Sequence, residues 1–302
     1  MQAAGTAEEL CSNIRSALAR NLPELTPTPI KHDGTFVCVA SGWSMPDHID
    51  EIKAHRRAGR PIVAIKAAHD FLCENGVQPD MWVNLDPRDR TSGIQKANDR
   101  TVYLVASRCP PVTFDYLQGK NVWLWHSWAD GPEMQAIGPN KLAVGGGTTS
   151  GLRAINIGYL LGFRNFVLYG YDSCNRADGL KRFTGEHTGP SIDVFVGGPT
   201  GKKFNCNMAM AQQANEFQKL FEVMGDINVD ARGPGLIAEI MRMRNRKDEA
   251  AKWQSPPACW GRASTACPPF PFVATAIPRH LPQAPRLAMP QQSRLSTTTS
   301  LR

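Results

Sequence analysis

Residues 142–172, LAVGGGTTSGLRAINIGYLLGFRNFVLYGYD, decide the fold of this chain. A short apolar entry runs into three glycines, Gly145–Gly147, and an amphipathic helix is expected from about Leu152 to Leu161, where a glycine ends it. The compact apolar run Phe166–Tyr169 then predicts a buried strand that leads to Asp172. In open parallel sheets, ligands bind outside the carboxyl ends of the strands, so this unit places an aspartate at the expected binding edge.

The glycine-rich loop ahead of that helix has the composition of an anion site. Gly146 and Gly147 let the backbone approach a ligand closely, while the N–H groups and hydroxyls of Thr148 and Thr149 would face a phosphate. The spacing is neither a Walker A motif nor a clean G-x-G-x-x-G, so an ordinary turn before a helix is the alternative.

Strand-sized apolar runs alternate with helical patterns through most of the chain. This alternation predicts an α/β fold: a Rossmann-like doubly wound, mostly parallel sheet with helices on both faces. A long loop is expected from Ser173 to about Lys203, and long loops in compact domains are often lids. Three regions are predicted: a helix and linker (1–30), a Rossmann-like domain (31–250) and a disordered, Pro-rich basic tail (251–302).

Composition narrows the function classes. The chain is 42% hydrophobic and 20% charged, as in globular proteins, and residues 252–302 carry six of its seven net positive charges. The remainder is nearly neutral, which argues against a dedicated nucleic-acid site. We expect no membrane span and no secretory signal. The eight scattered cysteines form no C-x-x-C pair, and a cytoplasmic location is expected.

Two further turns carry candidate ligand-binding groups. Ser41, Gly42 and Ser44 follow the first predicted strand, where their N–H and hydroxyl groups would donate to a diphosphate; a helix cap is the alternative. Asp86 follows the third strand and would bind ribose hydroxyls, a base edge or Mg²⁺. A turn-initiating Asp-Pro pair is the alternative for Asp86.

Asp172 is the first-ranked catalytic candidate. It would hold a metal together with Asp86, or act as general base toward an acceptor hydroxyl, with a cap for the next turn as the alternative. His187 lies in the long loop and would carry a proton, unless it is merely exposed. His126, beside Trp125 and Trp128 after another strand, would line the pocket, where the aromatic rings could stack on a base or a pterin; core burial is the alternative for the tryptophans.

Three segments resemble the MptE-like proteins, a family of archaeal 6-hydroxymethylpterin diphosphokinases and motility-accessory-factor flagellin glycosyltransferases, with many bacterial and phage-borne members. These segments are Val39–Met45, Asn75–Asp86 and Gly146–Asp172. Trp43 departs from the family pattern, which usually has proline there. The resemblance spans about Phe36 to Ile240 and is nearest to the phage and environmental members.

The resemblance implies a Rossmann-like fold and a nucleotide-bearing donor. The expected function is a nucleotide-dependent transferase that passes a glycosyl group from a nucleotide-activated small molecule to an acceptor the sequence does not identify, with Mg²⁺ as a candidate cofactor. Two alternatives stay open: a diphosphokinase acting on ATP and a hydroxymethylpterin-like acceptor, and a non-catalytic nucleotide-binding module. In each case, the spots near Gly42, Asp86, Gly147 and Asp172 are expected to converge on one rim.

Overall fold

The computed structural model of the protein describes residues 5–187, 189–197 and 201–254, with side chains as far as residue 246. The tail predicted after residue 251 therefore lies almost entirely outside the described residues. The helices are α1 (Ala7–Leu18), α2 (Ile49–Arg57), α3 (Ala68–Glu74), α4 (Pro111–Tyr116), α5 (Pro132–Ile137), α6 (Ser150–Leu160), α7 (Met208–Val223) and α8 (Leu236–Gln254). The strands are β1 (His32–Val39), β2 (Ile62–Ile65), β3 (Met81–Asn84), β4 (Val102–Ala106), β5 (Val122–Ser127), β6 (Ala143–Val144), β7 (Phe163–Tyr169), β8 (Ile192–Val196), β9 (Lys202–Cys206) and β10 (Asn228–Ala231).

Eight parallel strands form one sheet in the order β10-β7-β1-β2-β3-β4-β5-β6. The chain moves outward from β1 to β6 and then crosses back to place β7 beside β1. Right-handed crossovers in opposite directions lie on opposite faces of a sheet, so the helices cover both. The predicted doubly wound α/β fold is confirmed. The direction of winding reverses between β1 and β7, which is the switch point where such sheets bind ligands.

Burial on both faces explains why the central strands are continuous apolar runs. Phe36, Val63, Trp82 and Phe166 are all at most 1% exposed. Helix α6 lies close to the sheet because Gly158 has no side chain; a Cβ there would come within 2.7 Å of the Phe36 and Phe166 rings. This close packing sets the N-terminus of α6 at the carboxyl edge of the sheet. Within the described residues, no helix combines the length and hydropathy needed to cross a membrane.

The segment predicted as one long loop contains regular structure. Strands β8 and β9 form an antiparallel hairpin, so the prediction of a loop over Ser173–Lys203 was wrong for that part. The alternation of Ile192, Val194 and Val196 with other residues is typical of a half-buried strand and was the available signal. The hairpin packs with α7 and α8 around a second, small core of buried residues: Cys174, Phe204, Cys206, Met210, Ala214 and Leu236.

Candidate functional site

The carboxyl ends of β1 and β7 meet at the switch point, and four of the predicted site residues lie there. The Gly42 N–H donates to the Gly170 carbonyl at 2.9 Å. The Ser44 N–H and hydroxyl donate to the two carboxylate oxygens of Asp172 at 2.9 and 2.6 Å. Ser41, Ser44 and Asp172 are all buried. A Cβ at Gly42 would collide with the Gly170 carbonyl and with the Asp172 carboxylate, so glycine is required for this approach.

Asp172 has a buried carboxylate, and its main chain also holds a neighbouring turn in place. Burial raises the pKa of Asp172, and the two hydrogen bonds from Ser44 only partly oppose that effect. The main-chain carbonyl of Asp172 accepts from the Leu236 N–H at 2.8 Å, which ties the turn at 233–235 to the switch point. Carboxyl groups with raised pKa values cluster at functional sites. Asp172 therefore stays a candidate for proton transfer, and its carboxylate holds the turn after β1, whereas the capping alternative placed it on the turn after β7.

Asp86 lies at the end of β3 within a group of cations. Its carboxylate accepts from Lys66 Nζ at 2.8 Å, from Arg88 Nε at 2.9 Å and from Arg90 Nε at 2.9 Å. Burial alone would raise the pKa of Asp86, but the hydrogen bond from Arg88 and the charges of Lys66 and Arg90 hold it well below its usual range. Lys66 has a φ of 53°, a conformation that non-glycine residues adopt mainly where surrounding structure imposes it.

The loop that follows β7 folds back over the carboxyl edge of the sheet. Arg182 forms an antiparallel β-bridge with Gly42, which brings this loop directly onto the switch point. The Phe183 ring lies 4.9 Å from the Phe71 ring of α3 and fixes the far side of the loop. The loop therefore spans from the end of β1 to the region of α3, above β2.

The loop adds two cations to the group around Asp86. Lys181 Nζ and Arg182 Nε bind the Glu186 carboxylate at 2.8 and 3.0 Å. The pKa of Glu186 is low because Lys181, Arg182 and the nearby charge of Arg90 outweigh the effect of burial. We use the name "basic rim" for five residues: Lys66, Arg88, Arg90, Lys181 and Arg182.

The basic rim has a net excess of positive charge. Its five cations form ion pairs with two carboxylates, those of Asp86 and Glu186, and Arg90 also interacts with the carboxylate of Asp89, which leaves an excess of two positive charges. The Arg88, Arg90 and Arg182 side chains are 64%, 35% and 34% exposed, so a ligand can reach them. Sequence reasoning missed the rim because its members come from three separate segments and have no common spacing.

An internal carboxylate occupies part of the predicted glycine-loop anion site. The N–H and the hydroxyl of Thr148 both donate to Glu216 of α7 at 2.9 Å. Thr149 caps α6 by accepting from the Leu152 N–H at 3.3 Å. A Cβ at Gly146 or Gly147 would collide with a side chain of α6. In this structure these four residues therefore pack and cap the start of α6, as the alternative reading allowed, and Glu216 stands where an anion was expected.

The N-terminus of α6 connects the glycine loop to the other candidate turns. The Leu85 N–H donates to Ser150 Oγ at 3.1 Å, which joins the end of β3 to the first turn of α6. The Tyr171 hydroxyl donates to the Gly151 carbonyl at 2.9 Å, which joins the end of β7 to the same turn. The turns at Gly42, Asp86, Gly147 and Asp172 thus all lie at the carboxyl edge of one sheet.

His187 lies on the returning arm of the loop, where it forms a β-bridge with Leu180. Its side chain is exposed. In the part of the chain that the structure describes, no hydrogen bond or ion pair joins His187 to Asp172 or Asp86. The fold brings its loop to the site but leaves the imidazole itself at the periphery.

Asp86 and Asp172, the predicted magnesium ligands, already have protein partners in this structure. Among the described residues, no three His, Cys, Asp or Glu side chains gather as metal ligands. Asp86 is surrounded by Lys66, Arg88 and Arg90, and Asp172 is engaged by Ser44.

Comparison with known families shows which family this chain belongs to. A family model described as "6-hydroxymethylpterin diphosphokinase MptE-like" matches residues 8–178, which is more than half of the chain. The chain belongs to the MptE-like family. The region matched in this MptE-like chain contains Asp86, the glycine loop and Asp172, and it ends just before Arg182 of the basic rim.

A solved structure has the same fold as this MptE-like chain. The Maf glycosyltransferase from Magnetospirillum magneticum AMB-1 superposes with a TM-score of 0.56 at 15% sequence identity, over 82% of this chain and 42% of that chain. At this identity the similarity concerns the fold, and the MptE-like chain matches less than half of the Maf protein's length. A search of curated protein sequences returned no match.

The opposite pKa shifts of Asp86 and Asp172 predict opposite effects of pH on stability. The folded pKa of Asp86 lies below the unfolded value near 3.9, so its stabilisation is complete above about pH 5 and declines as the pH falls. Relative to Asp86→Asn, the wild-type protein should therefore lose about 2 kcal/mol of its advantage in unfolding free energy between pH 5 and pH 2. Urea unfolding at pH 7, 5, 4, 3 and 2 measures this.

Asp172 provides the contrasting variant for that experiment. Its folded pKa is raised, so wild-type stability relative to Asp172→Asn should be greatest below about pH 4 and should fall as the pH rises through the raised pKa. Differences that change with pH in the same sense for both variants would contradict the electrostatic description of the site.

Proposed function

We propose that this MptE-like chain is a nucleotide-dependent transferase that binds a nucleotide-activated donor at the carboxyl edge of the sheet and transfers a glycosyl group. The observation that carries the proposal is the basic rim beside the switch point, with its excess of two positive charges and its exposed arginines. Arginine forks bind phosphate oxygens in bidentate geometry. The phosphates of the donor would replace part of the contacts that Asp86 and Glu186 now make with the rim.

The chemistry would depend on positioning and on charge. When the bond between the anomeric carbon and the phosphate oxygen breaks, negative charge develops on the leaving phosphate, and preorganised cations such as Arg90 and Arg182 stabilise it. The acceptor hydroxyl forms the new bond and loses its proton. Asp172 and His187 remain the candidates for receiving that proton, and Asp172 is the one at the switch point.

Diphosphate transfer from ATP is a second candidate, because the matching family model describes diphosphokinases. The basic rim would serve it equally well, since a diphosphate group is then the group transferred. A non-catalytic nucleotide-binding module would also use the rim but would show binding without turnover.

Calorimetry with matched ligands separates these functions. UDP- and CMP-sugars are titrated in one series, and ATP together with 6-hydroxymethyl-dihydropterin in another, with release of free nucleotide followed in parallel. We expect binding of a nucleotide sugar and slow release of its nucleotide to water. Binding by the ATP and pterin pair alone would favour the diphosphokinase, and binding without any turnover would favour the module.

Metal removal gives a separate test of how the phosphates are held. The affinity for UDP is expected to change less than about threefold when EDTA replaces Mg²⁺, because the rim itself supplies the positive charge. The measurement is calorimetry in matched buffers. A loss of tenfold or more in EDTA would show that a metal ion, rather than the basic rim, carries phosphate binding.

A further inference from the structure

Trp128 is an exposed aromatic residue at the carboxyl end of β5. Its side chain is 51% exposed, whereas Trp82 and Trp125 are at most 1% exposed and belong to the core. A large aromatic ring left half exposed loses about half of the free energy that full burial would provide. Its position, directly after a strand of a parallel sheet, is one where such sheets contact ligands.

The backbone at Trp128 is held in place by a buried arginine. Its N–H donates to the Val144 carbonyl at 2.9 Å and thereby extends the pairing of β5 with β6. Arg153, which is 7% exposed, donates to the carbonyls of Val144 and Trp128. A buried guanidinium group needs hydrogen-bond partners, and these two carbonyls supply them. The hydrogen bonds hold in place the backbone that presents the Trp128 ring.

The space beside Trp128 is open. Gly145 follows Val144 in the neighbouring strand, and a Cβ built on Gly145 would meet no atom within 4 Å. The backbone next to the Trp128–Val144 pair is therefore uncovered at Gly145, which leaves room for a flat group.

Trp128 and the basic rim lie along the same edge at a defined separation. The part of the rim nearest to Trp128 is Arg88 and Arg90, which follow β3; Trp128 follows β5, two strand spacings away, which is about 10 Å. The first turn of α6 joins the two places, through Ser150 to Leu85 at 3.1 Å and through Arg153 to Trp128 at 3.1 Å. An extended nucleoside diphosphate is long enough to reach from one to the other.

We propose that Trp128 stacks on the nucleobase of the ligand whose phosphates the basic rim holds. The inference deepens the proposed function and rests on it for the phosphate site. Stacking of a base on an aromatic side chain is tolerant of base identity because every base has a π-face. Trp128 therefore contributes affinity for both purine and pyrimidine nucleotides.

The test compares ligands with and without a base. Wild-type protein and the variants Trp128→Ala, Trp128→Phe and Tyr116→Ala are titrated by calorimetry with UDP, ADP and inorganic diphosphate. Tyr116 is a matched control, since it is 44% exposed but ends α4, which runs away from the carboxyl edge. Thermal unfolding of each variant checks that the fold is retained.

Trp128→Ala is expected to weaken UDP and ADP binding about tenfold or more, while inorganic diphosphate binds within twofold of wild type. Trp128→Phe keeps a stacking ring and should lose less than about threefold, and Tyr116→Ala should change nothing. Equal losses for UDP and inorganic diphosphate, or no loss for UDP, would overturn the stacking role while leaving the rim intact. If Trp128→Ala weakens UDP and ADP binding but the wild-type protein transfers no group, the proposed function is overturned while the stacking of Trp128 on the base is retained. If the wild-type protein binds none of the three ligands, both fail.

Discussion

An Arg90→Met, Arg182→Met double variant is expected to bind UDP about 100-fold or more weakly than the wild-type protein. One of the two guanidinium groups is hydrogen-bonded to Asp86, and the other forms an ion pair with Glu186. A hydrogen bond that involves a charged group contributes about 1.5–3 kcal/mol, so two such contacts to phosphate account for a loss of this size. Methionine keeps most of the aliphatic stem, which limits the change in packing.

The control for this prediction is Arg56→Met. Arg56 binds Asp80 at 2.7 Å with a similar exposure of 40%, but it does so next to the start of β3, at the amino edge of the sheet. Its replacement should leave UDP affinity within about twofold. Calorimetry at two salt concentrations gives the affinities, and the wild-type protein should show the steeper dependence on salt. A double variant that binds UDP within threefold of wild type would remove the basic rim from the donor site.

Gly42→Ala is expected to lower the free energy of unfolding by about 3 kcal/mol. An added Cβ would collide with the Gly170 carbonyl and the Asp172 carboxylate, and both are held by hydrogen bonds at the switch point. Inserting a methyl group into a packed site of this kind forces backbone shifts, which typically cost 1–3 kcal/mol. The cost should lie at the upper end, because the obstructing atoms belong to backbone and to a buried carboxylate rather than to a flexible side chain.

Gly145→Ala is the matched variant. Gly145 also lies in a turn at the carboxyl edge, yet a Cβ there would meet no atom within 4 Å. Its replacement should change stability by less than about 1 kcal/mol and can raise it, because alanine has less conformational freedom to lose on folding. Urea unfolding of the two variants beside wild type measures the difference. Similar values for both would mean that β1 and β7 do not meet at Gly42 as described.

The glycine loop shows what a local sequence pattern predicts correctly and what it cannot predict. Residues 145–150 predict a turn, a cap and the start of a helix, and Thr149 does cap α6. The same pattern also predicted an anion facing Thr148. Glu216 fills that position, and it comes 68 residues later on a different helix. No feature of the loop itself could have identified its partner.

The basic rim is also a feature that local sequence patterns could not reveal. Lys66, Arg90 and Arg182 follow different strands or lie in a loop, and each is unremarkable in its own segment. Their charges add up only because β2 and β3 are neighbours and because the loop after β7 returns to Gly42. Asp86, by contrast, could be chosen as a candidate from the sequence, since an aspartate directly after a buried strand is a local feature.

By itself, the sequence determined most of the strands and helices, though not the β8–β9 hairpin, and that they form a parallel α/β sheet, because hydrophobic periodicity and turn residues act over a few neighbouring positions. Only the tertiary structure decided that β7 lies beside β1, that Ser44 reaches Asp172 across 128 residues, and that the carboxylates of Asp86 and Glu216 are already engaged. The physical reason is that strand order and the pairing of buried charges arise from long-range packing, which leaves no periodic trace along the chain.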